Sequence, residues 1–346
     1  MVSGVAEKCD VLVDVSPSYV IPAPFNVGSD PASLKVVIEQ PANAISIPTM
    51  LLARVATTIC STASRSTVAP FKRLLNAPAA NAESQDAFLE PVEGRPGVSY
   101  LSLNRPKARN AISVRMIEQI KEALNTAQND KSLRTLIVRS TSPGAFCAGA
   151  DLVERKSMSK EEVDAFLANL RNAFCSLEDL PIPTIAAIDG PALGGGLEMA
   201  LCCDLRVAGS TVTKIGLPET RLGIIPGAGG TQRAVRLLGL PRAKALVYTG
   251  RALDAKEALS WGIVDYVSSD SQSASERALE LADEMSGSAP LALRAAKRAL
   301  SVSPDLSLAE GLDLERACYE PLLSSKDRTE ALTAFQEKRK PVFKGE

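Results

Sequence analysis

The sequence predicts an α/β fold that passes into an all-helical C-terminal region. Two observations carry this. Between about residues 98 and 208, short apolar runs of strand length alternate with longer stretches whose apolar residues recur at helical spacing. Beyond about residue 285 only the helical period is left. A length of 346 residues allows one large domain with appendages.

Taken in order, residues 1–49 carry acids and prolines with little periodicity, which predicts a poorly ordered extension. From Met50 the character changes. Residues 50–82 hold Arg54, Arg65, Lys72 and Arg73 with no acid, and are rich in Ser and Thr. Leu51, Leu52, Val55 and Ile59 recur at helical spacing, the composition of a mitochondrial transit peptide over 50–85. A disordered linker is the alternative. Because such a peptide belongs at an N-terminus, either Met50 is expected to be the working start or residues 1–49 come from an alternative start.

Folded sequence is expected from near Phe88. Val98 to Leu103 alternates as a strand and stops at Asn104-Arg105-Pro106. Ser113 to Ala127 predicts a helix with Met116, Ile117, Ile120, Ala123 and Leu124 on one face. Leu133 to Arg139 is the next strand. Ser159 and Glu162 form a capping box opening a helix with Val163, Phe166, Leu167, Leu170 and Phe174 in one stripe. Thr184 to Ile188 is a buried strand, Gly195 to Asp204 a helix and Leu205 to Ala208 a short strand. Ala289 to Leu300, Leu306 to Leu323 and Arg328 to Lys338 are the terminal helices.

Composition narrows the chemistry. The chain has no histidine. That excludes Ser-His-Asp and Cys-His catalysis and His-ligated zinc, and makes carboxylates the first candidates for acid–base work near neutrality. Seven cysteines without a C-x-x-C argue against a disulfide framework or a metal site, so no metal ligands are assigned. Lys and Arg number 39 against 40 for Asp and Glu, which gives no general attraction to nucleic acid. No run of 18 uncharged apolar residues appears, so no membrane span is expected.

Four segments are candidates for chemistry. In Asp189 to Glu198 a strand runs through Gly194-Gly195-Gly196 into a helix. Glycine permits close backbone approach, and a helix start leaves N–H groups unpaired, which suits a developing oxyanion beside Glu198. A turn that merely packs helix on strand is the alternative. In Gly216 to Gly227, Glu219 stands between Pro218 and an apolar stretch; apolar surroundings raise a carboxyl pKa, whereas the plain alternative is a solvated glutamate. In Phe146 to Leu152, small residues precede Asp151, which alone is more often a helix cap. Gly227 to Arg233 invites a nucleotide-loop reading, but Gln232 occupies the third glycine position and there is no G-K-[ST].

The ordered set of these segments resembles the crotonase, or enoyl-CoA hydratase/isomerase, family over about residues 90–346. It runs through Asn104-Arg105-Pro106, Phe146 to Asp151, Ala192 to Glu198, Leu217 to Gly223 and Ile225 to Arg233, and closes on Ala334 to Arg339. Within the family the chain looks most like mitochondrial members, the 3-methylglutaconyl-CoA hydratase group included, through Ile182 to Gly190, Cys318-Tyr319 and Lys326-Asp327-Arg328.

The resemblance implies a ββα spiral core over 86–285 and a helical region over 286–346 that builds homotrimers or homohexamers. It implies an oxyanion hole from the N–H groups of Ala150 and Gly195, and a catalytic pair, Glu198 for the water and Glu219 for the proton at Cα. It also implies acyl-CoA contacts at Lys107, Ala108, Arg109, Ala148, Gly149, Asp151, Leu152, Gly194 and Gly196, with Phe335 and Lys338 reaching across subunits. The implied reaction is reversible hydration of a 2-enoyl-CoA in the mitochondrial matrix, in fatty-acid β-oxidation or branched-chain catabolism. No cofactor is expected beyond the coenzyme A of the substrate. Hydration of 3-methylglutaconyl-CoA, enoyl-CoA isomerisation and an RNA-binding or scaffolding role are the competing readings. Relatives that bind AU-rich RNA use lysines at three positions of an early helix, which here are Val114, Glu118 and Glu122.

Overall fold

Strand alternation shapes the front of the domain. In the computed structural model, which describes residues 85–346, Ala87–Pro91 (β1) pairs antiparallel with Val98–Leu103 (β2). The expectations for residues 1–49 and for the segment from Met50 lie outside the described residues. Helix α1 (Val114–Asn129) opens at Ser113, whose side chain accepts from the Met116 N–H, and buries Met116, Ile117, Ile120, Ala123, Leu124 and Ala127.

Strand β3 (Thr135–Ser140) then runs parallel to β2. It starts two residues later than the sequence suggests. Leu133 donates its N–H to Asp130 and Arg134 donates to Gly97, so both belong to the preceding turn. Helix α2 (Leu152–Lys156) is short and capped by Asp151. Helix α3 (Lys160–Glu178) carries the expected capping box on Ser159 and Glu162 and buries Phe166, Leu170, Ala173, Phe174 and Leu177.

β4 (Thr184–Ile188) is wholly buried, and β5 (Ala192–Leu193) leads into α4 (Gly195–Ala200). This helix is shorter than the expected Gly195 to Asp204. Turn bonds from Cys202 to Met199 and from Cys203 to Ala200 end it, and the Asp204 carboxylate is drawn off to the Thr184 N–H and hydroxyl and to Lys297. After β6 (Leu205–Ala208) and β7 (Ile215–Gly216) comes α5 (Gly230–Thr249), broken where Gly239 takes φ 73, ψ 162 ahead of Pro241. β8 (Ala252–Leu253), α6 (Ala255–Trp261), β9 (Tyr266–Val267) and α7 (Ala274–Ser286) complete the sheet layer.

Two sheets result. One has the order β1-β2-β3-β4-β6-β9, parallel from β2 onward; the other has the order β5-β7-β8. The parallel strands put the loops after β3 and β4 at one end, where α/β folds gather their ligands. The chain closes with α8 (Pro290–Val302), α9 (Leu308–Tyr319) and α10 (Lys326–Gln336). Leu300, Leu308 and Phe335 are 70%, 80% and 84% exposed, so these helices present apolar surface that the chain's described residues do not cover.

Candidate functional site

Two backbone loops build the floor of the site. In the first, the Ile112 N–H donates to Gly149 O at 2.7 Å and the Asp151 N–H donates to Ile112 O at 2.9 Å. This single parallel bridge turns the intervening Ala150 N–H the other way, where it has no acceptor among the described residues. In the second, the Leu193 N–H donates to Cys147 O at 3.0 Å and the Gly194 N–H to Gly216 O at 2.9 Å. Gly194 has φ 52, ψ −123, and this left-handed turn lets α4 begin at Gly195. The Gly195 N–H is likewise without an acceptor among the described residues, as a first-turn helix donor must be unless something caps it.

The two loops touch. A Cβ built on Gly149 would stand 2.9 Å from Leu193 O and 3.4 Å from the Gly195 nitrogen, and one on Gly195 would stand 3.6 Å from the Ala150 nitrogen. Two unpaired N–H groups therefore sit side by side, the requirement for holding one partly negative oxygen. Gly196 has a different job. A Cβ there would lie 2.3 Å from Cys147 O, so it serves close packing of α4 on the first loop and does not line the cavity.

Both candidate carboxylates are buried beside this floor. Glu198 is 2% exposed on α4, and its Oε1 accepts the N–H groups of Ala228 at 2.8 Å and Gly230 at 2.7 Å. Burial pushes its pKa up, while those two bonds and the Arg233 guanidinium pull it back; the net direction is upward. Glu219 is 8% exposed on a short turn of 3₁₀ helix, Glu219–Leu222. Its Oε2 is buried with no hydrogen-bond partner among the described residues. Burial raises its pKa to about 7, and the Glu198 charge acts in the same direction. A Cβ on Gly194 would fall 2.9 Å from Glu219 Oε1, so the triple glycine makes room for the second acid as well as for the turn.

A cavity of about 530 Å³ opens onto all of these groups. Ala148, Gly149, Ala150, Gly194, Gly195, Glu198 and Glu219 line it, with Leu152, Leu167, Leu170, Leu222, Ile224 and Ile225 as an apolar wall. Arg155 is the single cation among the lining residues.

Other predicted site residues lie elsewhere. Asp151 does not line the cavity: its carboxylate accepts from the Val153 and Glu154 N–H groups and pairs with Arg105 at 3.1 Å, so it is a helix cap and loop anchor. Lys107 and Ala108 sit on the turn Pro106–Ala108, and Arg109 follows in the left-handed region at φ 51. They stay outside the cavity wall but next to its rim, since the Ala148 N–H donates to Arg109 O. Phe335 and Lys338, at the end of α10, are exposed and do not meet the cavity of their own chain.

Sequence reasoning misses the clamp on Glu198. The segment Gly227 to Arg233 fails as a nucleotide loop, and its pattern suggests no other role. In the fold its glycines deliver the N–H of Gly230 and let Arg233 turn back, donating to Ala228 O at 3.0 Å and pairing with Glu178 at 2.5 Å. Glycine where a catalytic helix needs a neighbour is the available signal. Among the described residues no group of three or more His, Cys, Asp or Glu is placed to hold a metal ion, and no helix is long and apolar enough to cross a membrane.

The family model described as enoyl-CoA hydratase/isomerase matches residues 93–346. An enoyl-CoA isomerase/hydratase of Mycosarcoma maydis, fer4, is 55% identical over 75% of this chain and 97% of its own length. The mitochondrial methylglutaconyl-CoA hydratase of Mus musculus is 47% identical over 72% of this chain and 80% of its own. Among solved structures, an enoyl-CoA hydratase from Bacillus anthracis superposes with a TM-score of 0.73 at 42% identity, covering 76% of this chain and all of that one.

Proposed function

This chain belongs to the enoyl-CoA hydratase/isomerase family, and we propose that it adds water reversibly across the Cα=Cβ bond of a 2-enoyl-CoA. The observation that carries the reading is the pairing of two buried, differently held carboxylates with two adjacent unpaired N–H groups.

The thioester oxygen accepts from the Ala150 and Gly195 N–H groups. As the water oxygen bonds to Cβ, electron density moves through Cα onto that oxygen, where the two donors stabilise it. The environments divide the acid–base work. Glu198, held at one oxygen by two N–H groups, keeps its charge better and takes a proton from the water. Glu219, with a pKa of about 7 and an unpartnered oxygen, holds a proton near neutrality and delivers it to Cα. One turnover leaves Glu198 protonated and Glu219 ionised, and proton exchange between them resets the pair. Per turnover the product gains the water's oxygen and one of its hydrogens at Cβ and the Glu219 proton at Cα. The second hydrogen of the water, left on Glu198, replaces the proton that Glu219 gave up.

Two finer readings belong here. The apolar surface of α8 to α10 supports assembly as a homotrimer or a homohexamer, in which exposed Phe335 and Lys338 would reach the coenzyme A of a neighbouring site. Mitochondrial names among the relatives support a mitochondrial matrix location. A nucleic-acid role has little support: Val114, Glu118 and Glu122 share an exposed face of α1, and Lys121 is paired with Glu118 at 3.1 Å.

Double-bond isomerisation is the second reading, kept because a relative 55% identical is named an isomerase/hydratase. One assay separates the two. The enzyme is given a 2-enoyl-CoA and, separately, its 3-enoyl isomer, and the conjugated-enoyl absorbance is followed. Loss of absorbance from the 2-enoyl substrate with formation of 3-hydroxyacyl-CoA is expected. A gain from the 3-enoyl substrate with no hydration of the 2-enoyl one would replace hydration by isomerisation.

A further inference from the structure

Arg155 is unexplained by plain hydration. It lies in α2, one turn after Leu152, and both side chains line the cavity, as residues three apart on a helix face do. It is the only cation among the lining residues, set against a wall of Leu and Ile side chains. Among the described residues the guanidinium makes no ion pair and no side-chain hydrogen bond; its one recorded partner is the Phe166 ring, 5.8 Å to the centroid. The nearby carboxylates are committed elsewhere. Asp151 is bound to Arg105 and the α2 N–H groups, Glu154 accepts from the Val114 N–H, and Glu162 closes the capping box of α3.

The acids among the lining residues are Glu198 and Glu219 at the floor, and the half-buried guanidinium is paired with neither among the described residues, so it lacks a counter-charge beside the apolar wall. Its fork of donors matches a carboxylate in two parallel bonds. On the hydratase reading a substrate lies with its thioester oxygen at the Ala150 and Gly195 N–H groups and Cα and Cβ between Glu198 and Glu219, and its acyl tail continues into the cavity that Arg155 also lines. We propose that Arg155 is a specificity-determining residue that binds a carboxylate at the far end of the acyl chain, so that the preferred substrates are short 2-enoyl-CoA thioesters carrying a distal carboxylate. This rests on the hydratase reading for the orientation of the substrate, and names the substrate class within it.

The matched pair for the test is crotonyl-CoA and glutaconyl-CoA, which differ only by a carboxylate on the terminal carbon. The wild-type protein and Arg155→Gln are compared by kcat/KM on both. A hydrogen-bonded charge pair in a partly desolvated site is worth a selectivity change of about 10- to 100-fold. The ratio of glutaconyl-CoA to crotonyl-CoA should therefore fall by that factor in Arg155→Gln and recover in part in Arg155→Lys. If both substrates lose the same factor, Arg155 serves the coenzyme A or the glutamate pair and the proposal is overturned.

A binding measurement on the wild type removes any dependence on how the variants fold. By calorimetry, glutaryl-CoA should bind about tenfold or more tightly than butyryl-CoA; equal affinities would overturn the proposal. That arm also separates the carboxylate site from the reaction. Selective glutaryl-CoA binding without turnover of either enoyl-CoA would leave Arg155 standing and remove hydration. Turnover of crotonyl-CoA with no preference for either dicarboxylic thioester would do the reverse.

Discussion

Replacing Glu219 with glutamine should make the folded protein more stable in mildly alkaline solution, at the expense of its chemistry. Burial raises the Glu219 carboxyl from its ordinary 4.5 to about 7, and one of its oxygens has no partner among the described residues. In the unfolded chain the group is solvated and loses its proton near 4.5. Between those two values the folded state binds a proton that the unfolded state has released. Stability from this group therefore falls as pH rises from 4.5 and levels off above about 7. At about 1.4 kcal/mol per pH unit, the loss is about 3 kcal/mol in full. Glutamine does not ionise and escapes it.

The assay is denaturant unfolding of wild type and Glu219→Gln across about pH 4 to 9 at matched protein concentration, because assembly contributes to apparent stability. The difference between the two proteins isolates the charge, since any mispairing of the buried amide is the same at every pH. The difference should grow in favour of the variant through the window from 4.5 to about 7 and then hold steady. A difference that does not change with pH, or one that turns against the variant above neutrality, would show that Glu219 is not held in a charge-disfavouring site.

Three further outcomes follow from the same geometry. A Cβ at Gly230 would come within 2.9 Å of Glu198 Oε1, so Gly230→Ala should displace that carboxylate and lower kcat by at least about tenfold, read in steady-state kinetics with the melting temperature as control. At Gly196 the added carbon would lie 2.3 Å from the Cys147 carbonyl oxygen, so Gly196→Ala should cost about 1–3 kcal/mol or more through overpacking, read by denaturant unfolding. Because Glu219 must carry its proton to deliver it to Cα, kcat/KM for hydration should decline as pH rises above about 7; hydration takes up no net proton, so kcat/KM for dehydration should decline in parallel, and a hydration profile that rises through that pH would reverse the assigned role.

Local pattern makes much of this fold readable. The strands Val98–Leu103 and Thr184–Ile188 and the capping box at Ser159 lie where alternation and cap chemistry put them, because those signals fall within a few residues of one another. The two-residue strands β5, β7, β8 and β9 are not readable. Each is fixed by partners far away in sequence, such as Gly216 against Ala252, and two residues carry no period. Helix α5 is hidden by Gly239 and Pro241, which break its apolar repeat at the kink.

The site divides in the same way. The absence of histidine alone points to carboxylates, and the glycines beside Glu198 point to a close backbone approach. That Glu198 is clamped from a segment 30 residues downstream is not visible in the sequence, because backbone N–H donors leave no residue-type signature. Asp151 divides the two kinds of reading. Its local pattern favours a helix cap, which it is, since the N–H groups that open α2 and the Arg105 guanidinium absorb its charge, whereas the substrate contact at this position is implied only by the family resemblance.

The central claim is that Glu198 and Glu219 act together on one bound enoyl-CoA. Its most direct test is the rate of crotonyl-CoA hydration by Glu198→Gln and by Glu219→Gln, each measured on protein whose melting shows it folded. Loss of a positioned acid or base costs about 10²–10⁴ in rate, and each variant should lose at least the lower figure. Hydration retained within about tenfold by either variant would contradict the claim.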